Sequence, residues 1–80
     1  MFEYWICNQA DEEIFQKQCE AIERNIVPLE KREMLKDVDD SKIQTYNFQG
    51  KDIKVYNDYS MNEVYVKSEI ELQQFFHATS

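Results

Sequence analysis

Three short runs in the second half of the chain constrain the fold most, because each alternates apolar and polar side chains as a half-buried strand does. They cover residues 43–48, 52–57 and 63–67. Gln49 and Gly50 leave room only for a tight turn between the first two runs, and residues 58–62 suit a looser hairpin. Strands joined by such short loops pair antiparallel, so the sequence predicts a three-stranded antiparallel meander.

The first seven residues, MFEYWIC, form a further strand candidate, rich in aromatic and apolar side chains. Both of its faces carry apolar bulk. We therefore expect a strand that is either covered on both sides or placed at a sheet edge with one face against a helix, which would make four strands in all.

A helix is predicted from the region of Asn8, as its cap, to Asn25. Its apolar side chains recur at helical spacing and define one core-facing stripe: Phe15, Cys19, Ile22 and Ile26. Pro28 interrupts this pattern, and a second, shorter helix over residues 28–37 is predicted to follow. Its apolar positions form a second stripe on a different side: Val27, Met34, Leu35 and Val38.

The segment SEIE matches a capping box, in which Ser68 caps a final helix and Glu71 reaches back to the Ser68 amide. Leu72, Phe75 and Phe76 would give that helix its apolar face. The fold class expected is α+β, a single small domain over residues 1–80 with the order β-α-α-β-β-β-α, in which the meander packs against helices.

Charge excludes one class of function. Sixteen acidic side chains against nine basic ones give a net charge of -7, which repels phosphate backbones. The order helix, three strands, helix over residues 9–77 is similar to that of double-stranded RNA-binding domains. Those domains grip phosphates with lysines at the start of the last helix, where this chain has the acidic segment 68–71, so we expect no direct nucleic-acid binding.

No segment has the length or apolarity of a signal peptide or a membrane span, so we expect a cytoplasmic protein without membrane contact. Cys7 and Cys19 are then expected to be reduced thiols.

The sequence predicts no catalytic residues, no metal site and no cofactor. Asp37 and Asp39 have the spacing that opens a calcium loop, but Lys42 and Phe48 stand where such a loop needs its glycine and its last acid. No spacing brings His77 to the cysteines as a metal or nucleophile site.

The segment KVYNDYSMNEVYV supplies the candidate binding surface. Strand alternation places Tyr56 and Tyr65 on the sheet face opposite the valines, and Tyr59 projects from the hairpin loop. The predicted partner-binding residues are Tyr56, Asp58, Tyr59, Glu63 and Tyr65, with Asp52 at the edge. Cross-strand packing of tyrosines is the alternative explanation, and it requires no partner.

Three functions follow from these patterns. The favoured one is a small acidic protein-binding module that occludes its partner, as an inhibitor, an immunity protein or a phage-encoded anti-defence factor does; the partner would be a basic or nucleic-acid-handling protein. The alternative is a structural or assembly protein that forms a homodimer through a sheet edge or the second apolar stripe. A small enzyme or metal protein is the least favoured.

Overall fold

The structure is a computed structural model, and it describes residues 1–76. Within these residues, five strands form one antiparallel sheet, with one long helix and one short helix. The elements are β1 (Phe2–Cys7), α1 (Glu12–Asn25), β2 (Glu30–Lys36), β3 (Lys42–Phe48), β4 (Lys51–Asp58), β5 (Glu63–Ser68) and α2 (Gln73–Phe76).

The predicted meander is confirmed as β3, β4 and β5, which pair in sequence order. Gln49 and Gly50 both have positive φ, 52° and 84°, as a tight hairpin turn requires. The sheet order is β1-β5-β4-β3-β2, so β1 is an edge strand that pairs antiparallel with β5. The broad α+β class with a meander therefore holds.

The second predicted helix, over residues 28–37, is wrong. This segment forms β2, which pairs antiparallel with β3 and makes the other edge of the sheet. The sequence EKREMLK has helix-forming residues, but the free backbone edge of β3 supplies hydrogen-bonding partners that local propensity does not reveal. The observed order is β-α-β-β-β-β-α, which also departs from that of double-stranded RNA-binding domains.

Helix α1 ends at Asn25 as predicted, but it begins later than expected. Asp11, not Asn8, is its N-cap: the Asp11 carboxylate accepts a hydrogen bond of 3.1 Å from the Ile14 amide. The predicted stripe is confirmed, and it packs on one face of the sheet within the core. The buried core comprises Phe15, Cys19, Ile22, Ile26, Tyr46, Ile53, Val55, Val64, Val66 and Leu72.

The predicted capping box is also wrong. Ser68 is the last residue of β5, and it is buried on the core face. Its hydroxyl accepts from the Ile70 amide at 3.0 Å, and α2 begins only at Gln73. Leu72 is buried in the core, and Phe75 packs edge-on against Phe48 at 5.5 Å between ring centroids. The C-terminal segment thus joins α1 on one side of the sheet.

Helix α1 and the segment after β5 both pack on this core face. No element among residues 1–76 packs over the opposite face of the sheet. We call this opposite face the outer face. No helix in the described part of the chain is long and apolar enough to cross a membrane. His77 lies outside the described residues.

Candidate partner-binding face

The outer face of β4 and β5 carries side chains sorted by type. The register opposes Lys54 to Lys67, Tyr56 to Tyr65, and Asp58 to Glu63. The hairpin therefore presents a basic pair, an aromatic pair and an acidic pair in succession. The alternation that separated these residues from Ile53, Val55, Val64 and Val66 is confirmed.

An apolar row crosses all five strands through the aromatic pair. Each member lies directly opposite the next in the strand register: Trp5, Tyr65, Tyr56, Ile43 and Leu35. At about 4.8 Å between neighbouring strands, the apolar row is about 19 Å long. Its ends are open, because Trp5 is 55% exposed and Leu35 is 57% exposed.

The aromatic part of the apolar row is a continuous stack. The rings of Tyr56 and Tyr65 lie 4.6 Å apart at an interplanar angle of 12°, and Trp5 stacks on Tyr65 at 5.9 Å and 24°. The Lys67 ammonium lies 5.8 Å from both tyrosine ring centroids. Tyr65 is only 7% exposed, although it belongs to the outer face, because Trp5 and Tyr56 stack on it.

Carboxylates hold the polar ends of this stack. The Tyr65 hydroxyl donates to Asp58 Oδ2 at 3.0 Å, and the Trp5 indole nitrogen donates to Glu63. Burial, followed by the hydrogen bond to Asp58, raises the pKa of the Tyr65 hydroxyl, so it remains a donor at neutral pH. The two carboxylates of the acidic pair are thereby fixed beside the apolar row.

A groove of about 440 Å³ runs along the acidic side of the apolar row. Leu35, Ile43, Tyr56 and Tyr65 supply its apolar and aromatic wall. The 37–41 turn and the end of β4 supply the opposite wall, which contains Asp37, Asp39, Asp58, Ser41 and Ser60. The groove thus combines ring surfaces with several carboxylates.

Two lysines also line this groove, but each has an acidic partner outside the lining. Lys36 forms a 3.4 Å ion pair with Asp40, and Lys42 forms one with Glu12. The hydrogen bond to Glu12 raises the pKa of Lys42. Within residues 1–76, no salt bridge involves the three aspartates of the groove.

The structure brings four of the six predicted site residues together on the outer face, Tyr56, Asp58, Glu63 and Tyr65, and places Tyr59 and Asp52 beyond them at opposite ends of β4. Tyr59 follows β4, is 43% exposed, and donates its amide to the Ser41 hydroxyl at 2.9 Å. Asp52 lies at the far end of β4, about 20 Å from Asp58 along the strand. There its carboxylate accepts from the Asn47 amide group, beyond the basic pair.

Sequence reasoning missed three members of the apolar row: Trp5, Ile43 and Leu35. Only the strand register shows that Trp5 faces Tyr65. The sequence predicts a helix over the segment that contains Leu35. No local signal could have shown that it ends a row across the sheet.

The cysteines and the possible metal ligands do not form a second site among residues 1–76. Cys7 and Cys19 are both unpaired. Burial raises the pKa of the Cys19 thiol to about 11, which opposes a nucleophilic role at neutral pH. Over residues 1–76, no three side chains of the metal-binding types are grouped as a metal ion would require.

No protein-family model, curated protein or solved structure matches the chain.

Proposed function

We propose that the protein is a small acidic binding module that attaches to another protein through its outer face and blocks the contacts that protein would otherwise make. One observation carries this proposal: the apolar row crosses a sheet face that has no cover among the described residues. Tyrosine and tryptophan are enriched in the centres of protein interfaces, and Trp5 at one end of the apolar row is 55% exposed.

The charge of the chain defines the class of partner. A net charge of -7 attracts basic proteins over long range, and the acidic pair with the groove aspartates concentrates negative charge beside the apolar row. A nucleic-acid-handling protein presents such a basic surface, and carboxylates could occupy the positions its phosphate contacts use. The proposal assigns no catalytic step, and the unpaired cysteines suit a reducing, cytoplasmic setting.

A capture experiment tests this function. Tagged protein is used to isolate partners from cells of the native host, and the captured protein is then titrated against variants. Leu35→Asp places a charge at the exposed end of the apolar row, with little expected effect on folding because the side chain is 57% exposed. We expect affinity for the captured protein to fall at least ten-fold.

Val27→Asp is the matched control. It makes the same charge change at a side chain that is 73% exposed and lies outside the apolar row. Asp58→Lys and Tyr59→Ala test the acidic side of the outer face in the same assay. Equal affinity for Leu35→Asp, Asp58→Lys and the parent protein would refute binding through this face.

Self-association is the second candidate function, and a specific observation favours it. The side chains of the second apolar stripe are exposed: Val27, Met34, Leu35 and Val38, by 73%, 46%, 57% and 101%. They lie on or beside β2, whose outer edge has no paired strand among residues 1–76.

Sedimentation velocity at micromolar concentration separates the two candidates. A dimer that Leu35→Asp and Met34→Asp both dissociate would favour assembly through β2. A strict monomer would exclude self-association and favour the binding module. Two features of β2 work against edge pairing: its charged side chains, and an irregular register between Lys31 and Met34 where Gln44 donates to the Arg32 carbonyl at 2.7 Å.

A further inference from the structure

We propose that the occupant of the outer face is an arginine-bearing segment of the partner protein, with one guanidinium group seated in the groove between the apolar row and the 37–41 turn. This inference rests on the proposed function and specifies the chemistry of the partner. Charge complementarity, the shape of the groove and the order of the charged pairs on the sheet support it.

The groove has an excess of negative charge at the point of contact. Its lysines are paired to Asp40 and Glu12, which do not line it, so their charge is already balanced. The aspartates at 37, 39 and 58 have no cationic partner within the described chain. A positively charged occupant would therefore satisfy carboxylates that the protein itself leaves without a counter-ion.

The 37–41 turn and the loop after β4 fix these carboxylates in place before any partner arrives. Asp39 Oδ1 accepts from the Ser41 amide at 3.0 Å, and Asp58 Oδ1 accepts from the Ser60 and Met61 amides at 3.0 and 3.1 Å. The bonds from Ser41 hold the pKa of Asp39 below its ordinary value, so this group is ionised at neutral pH. Pre-positioned acceptors reduce the entropy cost of binding.

The groove chemistry favours a guanidinium over other cations. A metal ion needs several converging ligands, and residues 1–76 contain no group of three suitable side chains. An ammonium group is a compact, strongly hydrated charge. A guanidinium is planar and weakly hydrated, and it can contact the wall made by Tyr56 and Ile43 while its nitrogen atoms donate to Asp39 or Asp58.

The order of charges on the sheet also sets the direction of the bound segment. The acidic pair lies at the groove side of the aromatic pair, and the basic pair of Lys54 and Lys67 lies at the other side. A segment that places arginine in the groove would gain further by carrying an acidic residue about 13 Å away, which is the span of four residues along a strand.

Backbone amide shifts of ¹⁵N-labelled protein test this inference with three blocked peptides: hexa-arginine, hexa-lysine and hexa-citrulline. Citrulline has nearly the shape of arginine but no charge, and lysine has the charge but no planar fork. We expect hexa-arginine to shift the amides of Ser41, Ile43 and Ser60. Its affinity should exceed that of hexa-lysine by at least three-fold and that of hexa-citrulline by at least ten-fold.

The matched variants are Asp39→Asn and Glu20→Gln. Each removes one negative charge, but Glu20 lies on α1 across the sheet, and asparagine retains the side-chain oxygen that accepts from Ser41. Asp39→Asn should weaken hexa-arginine binding about three-fold, as one exposed ion pair can. Glu20→Gln should leave it unchanged.

Three results would overturn the inference: equal binding of the arginine and lysine peptides, shifts confined to residues outside the groove, or equal effects of the two variants. Failure of the proposed function has a different signature. If Leu35→Asp abolishes capture of the native partner but Asp39→Asn does not, the outer face binds protein without an arginine site. If the peptide occupies the groove but Leu35→Asp leaves capture intact, the proposed function fails and the arginine site stands.

Discussion

Replacing Tyr65 with alanine should remove a large part of the stability of this protein, although Tyr65 belongs to the uncovered face of the sheet. The ring is 7% exposed and stacks on both Tyr56 and Trp5. Burial of the ring contributes about 2 kcal/mol, and each stacked pair adds about 0.5–1.5 kcal/mol. We therefore expect Tyr65→Ala to lower the free energy of unfolding by about 3–5 kcal/mol.

That loss is a large share of the free energy of unfolding of the whole domain. At about 0.05–0.15 kcal/mol per residue, a domain of this length has a free energy of unfolding of about 4–12 kcal/mol. Tyr65→Phe removes only the hydroxyl that donates to Asp58, and the half-buried carboxylate can regain water. It should cost about 1 kcal/mol. Tyr59→Ala, at an exposed loop position, should stay within about 0.5 kcal/mol of the parent protein.

Urea unfolding followed by far-ultraviolet circular dichroism measures these differences without relying on the fluorescence of Trp5, which contacts the mutated ring. A double-mutant cycle with Tyr56→Ala should give a coupling energy of about 0.5–1.5 kcal/mol. A loss below about 1 kcal/mol for Tyr65→Ala would refute the packed stack. Equal losses for Tyr65→Ala and Tyr65→Phe would show that the hydroxyl, not the ring, carries the stability.

Three further predictions concern the scaffold. Asp11→Ala removes the cap that accepts from Ile14, so thermal unfolding should show a loss of about 0.5–2 kcal/mol; an unchanged midpoint would contradict this cap. Gly50→Ala should lower the free energy of unfolding by about 1 kcal/mol. The cause is the backbone, because φ is +84° and an added Cβ would meet nothing within 4 Å. Gly50→Asn should cost less, because asparagine accepts positive φ more readily. The pKa of the Cys19 thiol is raised from 9.0 to about 11, so the folded state favours the neutral form; its stabilising contribution is complete below pH 9 and is lost as pH rises through about 11. The thermal unfolding midpoint, measured from pH 8 to 11, should decrease between pH 9 and about 11, and it should decrease less steeply in Cys19→Ala. Equal slopes in the two proteins would exclude the thiol as a cause.

The parts of the fold that sequence predicted correctly are those in which local pattern and burial agree. In β4 and β5 a period of two separates Val55 and Val66 from Tyr56 and Tyr65, because one face packs on α1 and the other does not. The turn at Gly50 was predictable for a similar reason: few residues accept positive φ.

The β2 segment could not be predicted in this way. Every residue of β2 is exposed, so burial imposes no period on its sequence, and glutamate, lysine, methionine and leucine favour a helix locally. Its state is decided by pairing with β3, which is a contact between segments and leaves no local pattern. A helix would place Met34 and Leu35 in one stripe, but in the strand they point to opposite faces.

In the candidate site, too, some residues follow from local pattern and others depend on pairing between distant segments. Alternation was sufficient to place Tyr56 and Tyr65 on one face, since both lie in a hairpin whose pairing follows from its short loop. Trp5 and Leu35 lie on the two edge strands, and their places in the apolar row depend on registers that no loop fixes. Only the assembled sheet shows that these distant residues lie in one line.

The charged pairs provide a test of the proposed binding role against simple packing of the sheet. Lys54 faces Lys67 directly, and like charges in this position destabilise a sheet, whereas packing alone would favour opposite charges. On its other side Lys54 faces Thr45, so Lys54→Glu relieves the repulsion without creating a new one there. We expect this variant to gain about 0.2–1 kcal/mol in the free energy of unfolding and to lose affinity for the native partner. Lys51→Glu makes the same charge reversal opposite Phe48 and should gain nothing. If Lys54→Glu is no more stable than Lys51→Glu, the facing lysines cost nothing, and their segregation ceases to favour a partner over packing.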